Sequence, residues 1–529
     1  MEKTFPASVS AIGDITEAFE RKLKDYQISA NLRQEYVLLI EEVATKTVQA
    51  ADKDASLTLS VKRHLGTVSA KITCPGRAVR LESESGTDFS GQIIKEYSEY
   101  LRQSYSFGTN EILFTTSFSS DELLVSEALS GGAALLVGLL LRLFVNPSAL
   151  SFIGNNVTLP VVLIFVRAMQ TVAVPVAFFS LAYFVVKIRR TFDRDNKTIY
   201  LGFRYFLSSV AALAIGALTS KLFEFGKPPV DLSLYQTAED NFIGTNIKDF
   251  LSQIVSSNMV EPFLISNPIP VLINALLVGL AVSSVFGRTG DTLRHGLAAF
   301  NDLFSCLMNI IYSVIPFFLF FAVLDFVIKA DKGSVKVLLY FIVSLTVALL
   351  FLFAYYILRL VFGGVPVKTF FEKYHELLVV NFKIASNVQS YPYNKRILTK
   401  KMTLSRDYLA EGLKLGTLLN MDGNSLVVSV LIMNLIATVG VSVTAMQYAG
   451  IVLILFLFSV GAPNEPGSLL LGAIILMSFI GISVELVGAV LILEALFSKI
   501  YSFINAAGDI VTLAIEDERH KRKTAKASE

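Results

Sequence analysis

Apolar and polar positions follow three different rhythms along this chain. From Ile12 to Ala51 apolar residues recur on a 3.6-residue period, as in "EYVLLIEEVATKTVQAA", which predicts helix. "SLTLSVKRHLGTVSAKITCPG" then alternates apolar and polar residues around a turn at Gly66, which predicts a β-hairpin. From about Leu123 onward come long apolar runs, at residues 123–145, 157–188, 199–222, 265–287, 298–329 and 335–362. Each is near or above the ~20 residues that a helix needs to cross a bilayer. The pattern predicts a small α+β soluble domain over residues 1–118, followed by a polytopic α-helical membrane domain.

Beyond residue 365 the runs break up. Segments 366–398 and 445–478 are interrupted by "SNVQSYPYN" and "GAPNEPGS", and each is about the length of two half-spans. Irregular backbone at membrane depth survives only where protein buries it or water lines it. Interrupted segments in corresponding positions of two halves point to a transporter site built from inverted repeats. Surface loops between short helices are the plainer alternative. The membrane domain thus divides into six helices over 119–365 and a site-bearing part over 366–517 (hairpin, helix, hairpin, helix), with a basic tail at 518–529. Basic clusters at Lys187, Arg189, Arg190 and Arg194, and from His520 to Lys526, are expected on the cytoplasmic side. Both termini are therefore expected in the cytoplasm of a bacterial-type inner membrane.

Composition agrees with this parse: 53% of residues are hydrophobic and 17% charged, far from the soluble average. A net charge of +2 suggests no nucleic-acid partner. Cys74 and Cys306 fall in different domains, and the four His show no metal-ligand spacing, so reduced thiols and no bound cofactor are expected. The opening "MEKTFPASVSAIGDITEAFE" lacks the basic and apolar regions of a signal peptide.

One apolar run contains groups that do not belong in lipid. In "LKLGTLLNMDGNSLVVSVLIMNLIATVGVSV", Asn420, Asp422 and Asn424 stand beside Gly423. A charged side chain at the bilayer centre costs about 2.5–3.5 kcal/mol even on the lenient insertion scale, which makes it a functional hypothesis by default. No Lys or Arg lies between Lys414 and Lys499, so that stretch offers Asp422 no structural ion pair. A hard cation held by oxygen ligands would give the buried carboxylate its partner, and Gly423, with no Cβ, would permit a break in the helix.

"LGTLLNMDGNSL" resembles the Asn-Met-Asp-Gly-Thr signature of the dicarboxylate/amino acid:cation symporter (glutamate transporter) family, with Asn424 in place of Thr. "IFVRAMQTVAVPVAFFSL", "YFLSSVAALAIG", "SVGAPNEPGSLL" and "FINAAGDIV" resemble further family segments in the family's order, over about residues 123–517. The resemblance implies eight transmembrane helices plus two re-entrant hairpins, and a homotrimer in which transport domains slide through a lipid-embedded scaffold. It implies Na⁺ as coupling ion. One sodium site would use Asp422 with Asn420, Tyr205, Ser208 and Ser209; another Asp509 with Asn420, Asn505 and carbonyls near Gly416. A third would use carbonyls around Leu418, Ser459, Val460 and Ala462 with the Met421 sulfur.

The same resemblance places the solute among Ser386, Asn387, Asn424, Glu465, Ser498, Tyr501, Ser502 and Asn505. Here the chain departs from its family. Ser498 stands where carriers of acidic amino acids hold the α-amino group on Asp, and Tyr501 where they clamp the side-chain carboxylate with Arg. Losing that Arg removes the bidentate fork that recognises carboxylates. A neutral amino acid or monocarboxylate is expected, with a C4-dicarboxylate as the alternative. Glu465 either receives an amino group or faces water at the hairpin tip.

In the first domain, "IEEVATKTVQA" faintly resembles the histidine-kinase-like ATPase fold of anti-sigma-factor kinases. Lys46 occupies the magnesium-binding Asn position and "TCPGRA" the place of the glycine-rich aspartate motif, so no ATP hydrolysis is expected. A solute sensor signalling through residues 1–118 is the rival to a transporter.

Overall fold

A computed structural model describes residues 1–26, 30–52, 54–64, 67–79, 101–117, 120–192, 196–222, 248, 254–264, 267–330, 332–384, 387–439, 443–461, 467–480 and 487–528. The chain divides into two compact units, Met1–Leu123 and Leu124–Glu529.

Among its described residues the first unit shows a five-stranded antiparallel sheet and two α-helices. Strands β1 (Glu2–Pro6), β2 (Ser56–His64), β3 (Thr67–Pro75), β4 (Leu101–Ser106) and β5 (Thr109–Ser117) lie in the order β1-β2-β3-β5-β4. The predicted hairpin is β2–β3, with Leu59 opposite Ile72 and Val61 opposite Ala70; its turn at Gly66 lies outside the described residues. Leu57, Leu59 and Val61 are fully buried on the period of two that a half-buried strand requires. Against that face pack α1 (Ile12–Asp25), through Ile15, Phe19 and Leu23, and α2 (Ala30–Gln49), through Leu39, Ile40 and Val43. The helical stretch predicted from Ile12 to Ala51 is therefore two helices. "IEEVATKTVQA" lies on the second, while Thr73–Pro75 end β3.

The second unit is helical. Helix α3 (Ser120–Phe144) runs into it across the division at Leu124, and α4 (Leu159–Phe192), α5 (Asn196–Leu222) and α6 (Pro268–Ser284) follow. Then come α7 (Gly287–Ser313), α8 (Ile315–Lys329) and α9 (Lys332–Gly363). The run expected as one helix over 298–329 is instead the end of α7 and α8, which meet at a 52° bend. Pro316 explains the bend: it has no N–H to continue the ladder, and its ring clashes with the carbonyl four residues back. Among the described residues six helices are long and apolar enough to cross a membrane, or seven with the bent pair counted as one.

Both interrupted segments are helix pairs. Helices α10 (Val367–Ile384) and α11 (Asn387–Lys401) are joined by reciprocal amide bonds, Asn381 Nδ2 to Asn394 Oδ1 at 2.7 Å and Asn394 Nδ2 to Asn381 Oδ1 at 2.9 Å. Helices α14 (Ala445–Gly461) and α15 (Ser468–Ile480) form the second pair. Between the pairs run α12 (Arg406–Leu419) and α13 (Asp422–Val439), and α16 (Val487–Ser528) closes the chain. Burial separates centre from periphery. The apolar window that runs through α12 and α13 is 72% buried, whereas that of α3 is 17% buried and leaves Leu136, Leu139, Leu140 and Leu143 facing outward. An apolar helix exposed on most of its surface suits a hydrocarbon surrounding, not water.

Candidate ion and solute site

The site forms where α12 gives way to α13. Asn420 leaves the helical region (φ −92°, ψ 82°), although its N–H still bonds the Gly416 carbonyl at 2.8 Å. Ser209, on α5, clamps the break: it accepts the Met421 N–H at 2.8 Å and reaches the Leu419 carbonyl at 3.2 Å and Asp422 Oδ1 at 3.0 Å. Gly423 has no positive φ. Its missing Cβ serves close approach, because a methyl group there would fall on the Tyr501 carbonyl of α16. The gain is in packing, not in the backbone freedom expected from the sequence.

Asp422 is fully buried and accepts hydroxyl hydrogen bonds from Ser208 at 2.6 Å, Ser209 at 3.0 Å and Tyr356 at 2.6 Å. Arg359, three residues beyond Tyr356 on α9, donates to Ser208 Oγ and Thr512 Oγ1, both at 2.8 Å. A cation thus reaches the neighbourhood of Asp422 from another helix, which the stretch between Lys414 and Lys499 could not reveal.

Asp509 is the second fully buried carboxylate. Asn420 Nδ2 donates to its Oδ1 and to the Asn505 carbonyl, both at 2.9 Å. Asn505 Oδ1 accepts the Gly423 N–H at 2.7 Å, while its Nδ2 faces Met421 Sδ at 3.7 Å. Two glycines make room: a Cβ on Gly416 would strike the Asp509 carboxylate, and one on Gly508 would lie 2.8 Å from both Asp422 Oδ2 and the Tyr356 hydroxyl. Asn420 Oδ1 and the Tyr205 hydroxyl are buried with no hydrogen-bond partner among the described residues. Such orphaned atoms are rare in folded proteins and invite an unrecorded ion or water. Two carboxylates, an amide oxygen, a phenol and serine hydroxyls make up a hard-donor set that suits an alkali cation.

The structure therefore gathers Tyr205, Ser208, Ser209, Gly416, Asn420, Met421, Asp422, Asn505 and Asp509 around one break. Leu418 is half-buried one position before Leu419, whose carbonyl Ser209 touches. Ser459 and Val460 lie near the end of α14, but their side chains, that of Asn387, and all of Ser386, Ala462 and Glu465 lie outside the described residues. In the solute set, Asn424 is buried with Nδ2 on Ser468 Oγ at 3.1 Å, and Ser498 and Ser502 are half-buried on α16. Tyr501 is not turned toward an open pocket, since its hydroxyl donates to Glu494 at 2.7 Å. Tyr356, Arg359, Thr512 and Glu494 escaped the sequence reading. Arg359 and Glu494 carried the signal that exposed Asp422, a lone charge within an apolar run.

The profile of the sodium:dicarboxylate symporter family matches residues 130–518. A curated relative is the serine/threonine transporter SstT of Bifidobacterium adolescentis, 22% identical over 410 residues that cover 73% of this chain and 91% of the relative.

Proposed function

The chain belongs to the sodium:dicarboxylate symporter family, and we propose that it is a sodium-coupled symporter of a small neutral amino acid or monocarboxylate. The family and the relative are transporters, not enzymes, and the chain is a multi-pass membrane protein. The observation that carries the reading is the pair of fully buried carboxylates, Asp422 and Asp509, beside the orphaned oxygens of Asn420 and Tyr205. Sodium held there would add positive charge beside Asp422 and Asp509, with lone pairs freed as the Ser208 and Ser209 hydroxyls turn away from Asp422.

Two features favour a neutral solute. Tyr501 replaces the guanidinium that the family resemblance would place there, and the relative named above is a serine/threonine transporter. The assembly belonging to this reading is a homotrimer of eight spans and two re-entrant hairpins per subunit. It would lie among the lipids of a bacterial-type inner membrane with cytoplasmic termini, and work by an elevator mechanism. Uptake into proteoliposomes tests the coupling: L-serine accumulation should require external Na⁺ and vanish with choline in its place. The separate unit Met1–Leu123 favours one rival, a solute sensor. Counterflow discriminates, because a sensor binds its ligand without exchanging it across the membrane.

A further inference from the structure

Glu494 lies on α16, seven residues before Tyr501, and is fully buried. Four donors hold its carboxylate: the Gly467 N–H at 3.0 Å, the Leu470 N–H at 3.3 Å, the Tyr501 hydroxyl at 2.7 Å and the Tyr312 hydroxyl at 3.4 Å. The two N–H groups belong to the start of α15, a helix of 13 residues. The first N–H groups of a helix have no partner within it, and the helix dipole there favours an anion. The other two donors are phenols, and no cation is among the four. Dipoles alone thus build a carboxylate seat between α7, α15 and α16, and the chain fills it with its own side chain.

An acceptor beside this seat is unused. Asn424, 4% exposed, gives its Nδ2 to Ser468, the first residue of α15, and leaves Oδ1 buried with no partner among the described residues. Ser425 Oγ, on the next residue of α13, is also buried with no partner among the described residues, and as a hydroxyl it can donate or accept. Glu127, buried on α3, has one carboxylate oxygen with no partner among the described residues. A buried amide oxygen such as Asn424 Oδ1 calls for a donor from outside the chain, and a second anion would find no donor in it.

We propose that Glu494 is a specificity-determining residue: its carboxylate occupies the anion seat at the start of α15 and excludes solutes carrying a second carboxylate. Asn424 Oδ1 is left to receive the ammonium or hydroxyl of a neutral solute. This inference deepens the proposed function and takes the position of the solute site from it. A dicarboxylate would have to displace Glu494 from four hydrogen bonds, or bring its second carboxylate beside that of Glu494 without those donors. Either alternative is costly in a buried site.

Glu494→Gln keeps the size of the side chain and removes its charge. Calorimetric titration of the purified full chain in Na⁺ would compare L-serine, L-aspartate and succinate. Wild type should bind L-serine in preference to both dicarboxylates, and Glu494→Gln should gain aspartate or succinate. The ratio of affinities should move by about tenfold or more, the size of one charge-assisted hydrogen bond. A folded Gln variant that binds neither dicarboxylate, or that keeps the wild-type ratio, overturns the inference, as does a wild type that already binds a dicarboxylate as tightly as serine. Should Glu494→Gln not fold, Tyr501→Phe removes the shortest bond to the seat and should move the same ratio in the same direction; an unchanged ratio there also overturns it. Wild type that binds none of the three, with a Gln variant that binds a dicarboxylate, would refute the serine-like solute while supporting the role of Glu494. Flux that ignores Na⁺ would refute the coupling alone.

Discussion

The Tyr356 hydroxyl lies 2.6 Å from Asp422 Oδ2 and joins α9 to the break between α12 and α13. Both side chains are buried, so this bond is shielded from water. A hydrogen bond to a charged group contributes about 1.5–3 kcal/mol, so Tyr356→Phe should destabilise the protein by roughly that amount. The lost donor also leaves more negative charge on Asp422 for a cation to meet. Stabilisation by added Na⁺ in a thermal melt should therefore be at least as large in Tyr356→Phe as in wild type. In Asp422→Asn it should shrink, because a buried anionic ligand is gone. A sodium response in Asp422→Asn equal to that of wild type would exclude Asp422 from the ion site.

Gly416 and Gly508 leave space for the two carboxylates. Their neighbours are a buried acid, a buried amide and a phenol, none with room to retreat, so Gly→Ala should act as overpacking at about 1–3 kcal/mol. Gly416→Ala should fall mainly on Asp509 and Gly508→Ala on Asp422 and Asn420. Sodium-dependent uptake should fall further in both than in an alanine variant of exposed Gly296, a position with open space around it. Equal uptake in all three would show that close approach at the break is unimportant.

The break itself is legible in the sequence because an Asp between two amides cannot be an ordinary member of an apolar helix. The β2–β3 hairpin is legible because Leu57, Leu59 and Val61 alternate with polar residues. Strand β4, "LRQSYS", is not, since a short, mostly polar strand at the sheet edge shows no apolar alternation. The partners of Asp422 are harder still. Ser208 stands 214 positions away and Tyr356 66, and only the packing of α5 and α9 against α13 brings them together. Glu494 was visible as a lone acid in "GAVLILEALFSKI", but its role depends on where α15 begins.

The first unit has a closed core of its own, built on Phe19, Leu39, Leu59 and Phe114. Phe19→Ala should cost about 3–5 kcal/mol, seen as loss of the sheet's melting transition. Burial, with the charge of Asp52 adding, pushes the Cys74 thiol up, so it should resist alkylation until the unit unfolds. Lys46 stands where the faint resemblance to the histidine-kinase-like ATPase fold would place the magnesium-binding Asn, and if that resemblance holds the full chain should release no phosphate from Mg-ATP. Release that Glu42→Ala abolishes would contradict this. A variant lacking residues 1–118 should retain sodium-dependent uptake if the unit is an appended regulator.

Arg359 supplies the last test. Its guanidinium bonds Ser208 at 2.8 Å, which in turn bonds Asp422 at 2.6 Å, so one hydroxyl separates the positive charge from the carboxylate. A charge pair about 5 Å apart in a protein interior of effective dielectric about 20 interacts by a few kcal/mol. The guanidinium therefore helps to stabilise Asp422 when no ion is bound, and it opposes any cation that arrives. Arg359→Gln should lower thermal stability in Na⁺-free buffer, since Asp422 loses its nearest positive charge. The same substitution should raise apparent Na⁺ affinity, because the site has become more negative. Arg359→Lys should keep the charge but lose the two-pronged reach to Ser208 and Thr512, giving reduced stability with an affinity near wild type. Sodium titrations of melting temperature for the three proteins would read both effects. If Arg359→Gln binds Na⁺ more weakly than wild type, Arg359 acts by holding Ser208 in place, and its charge is secondary.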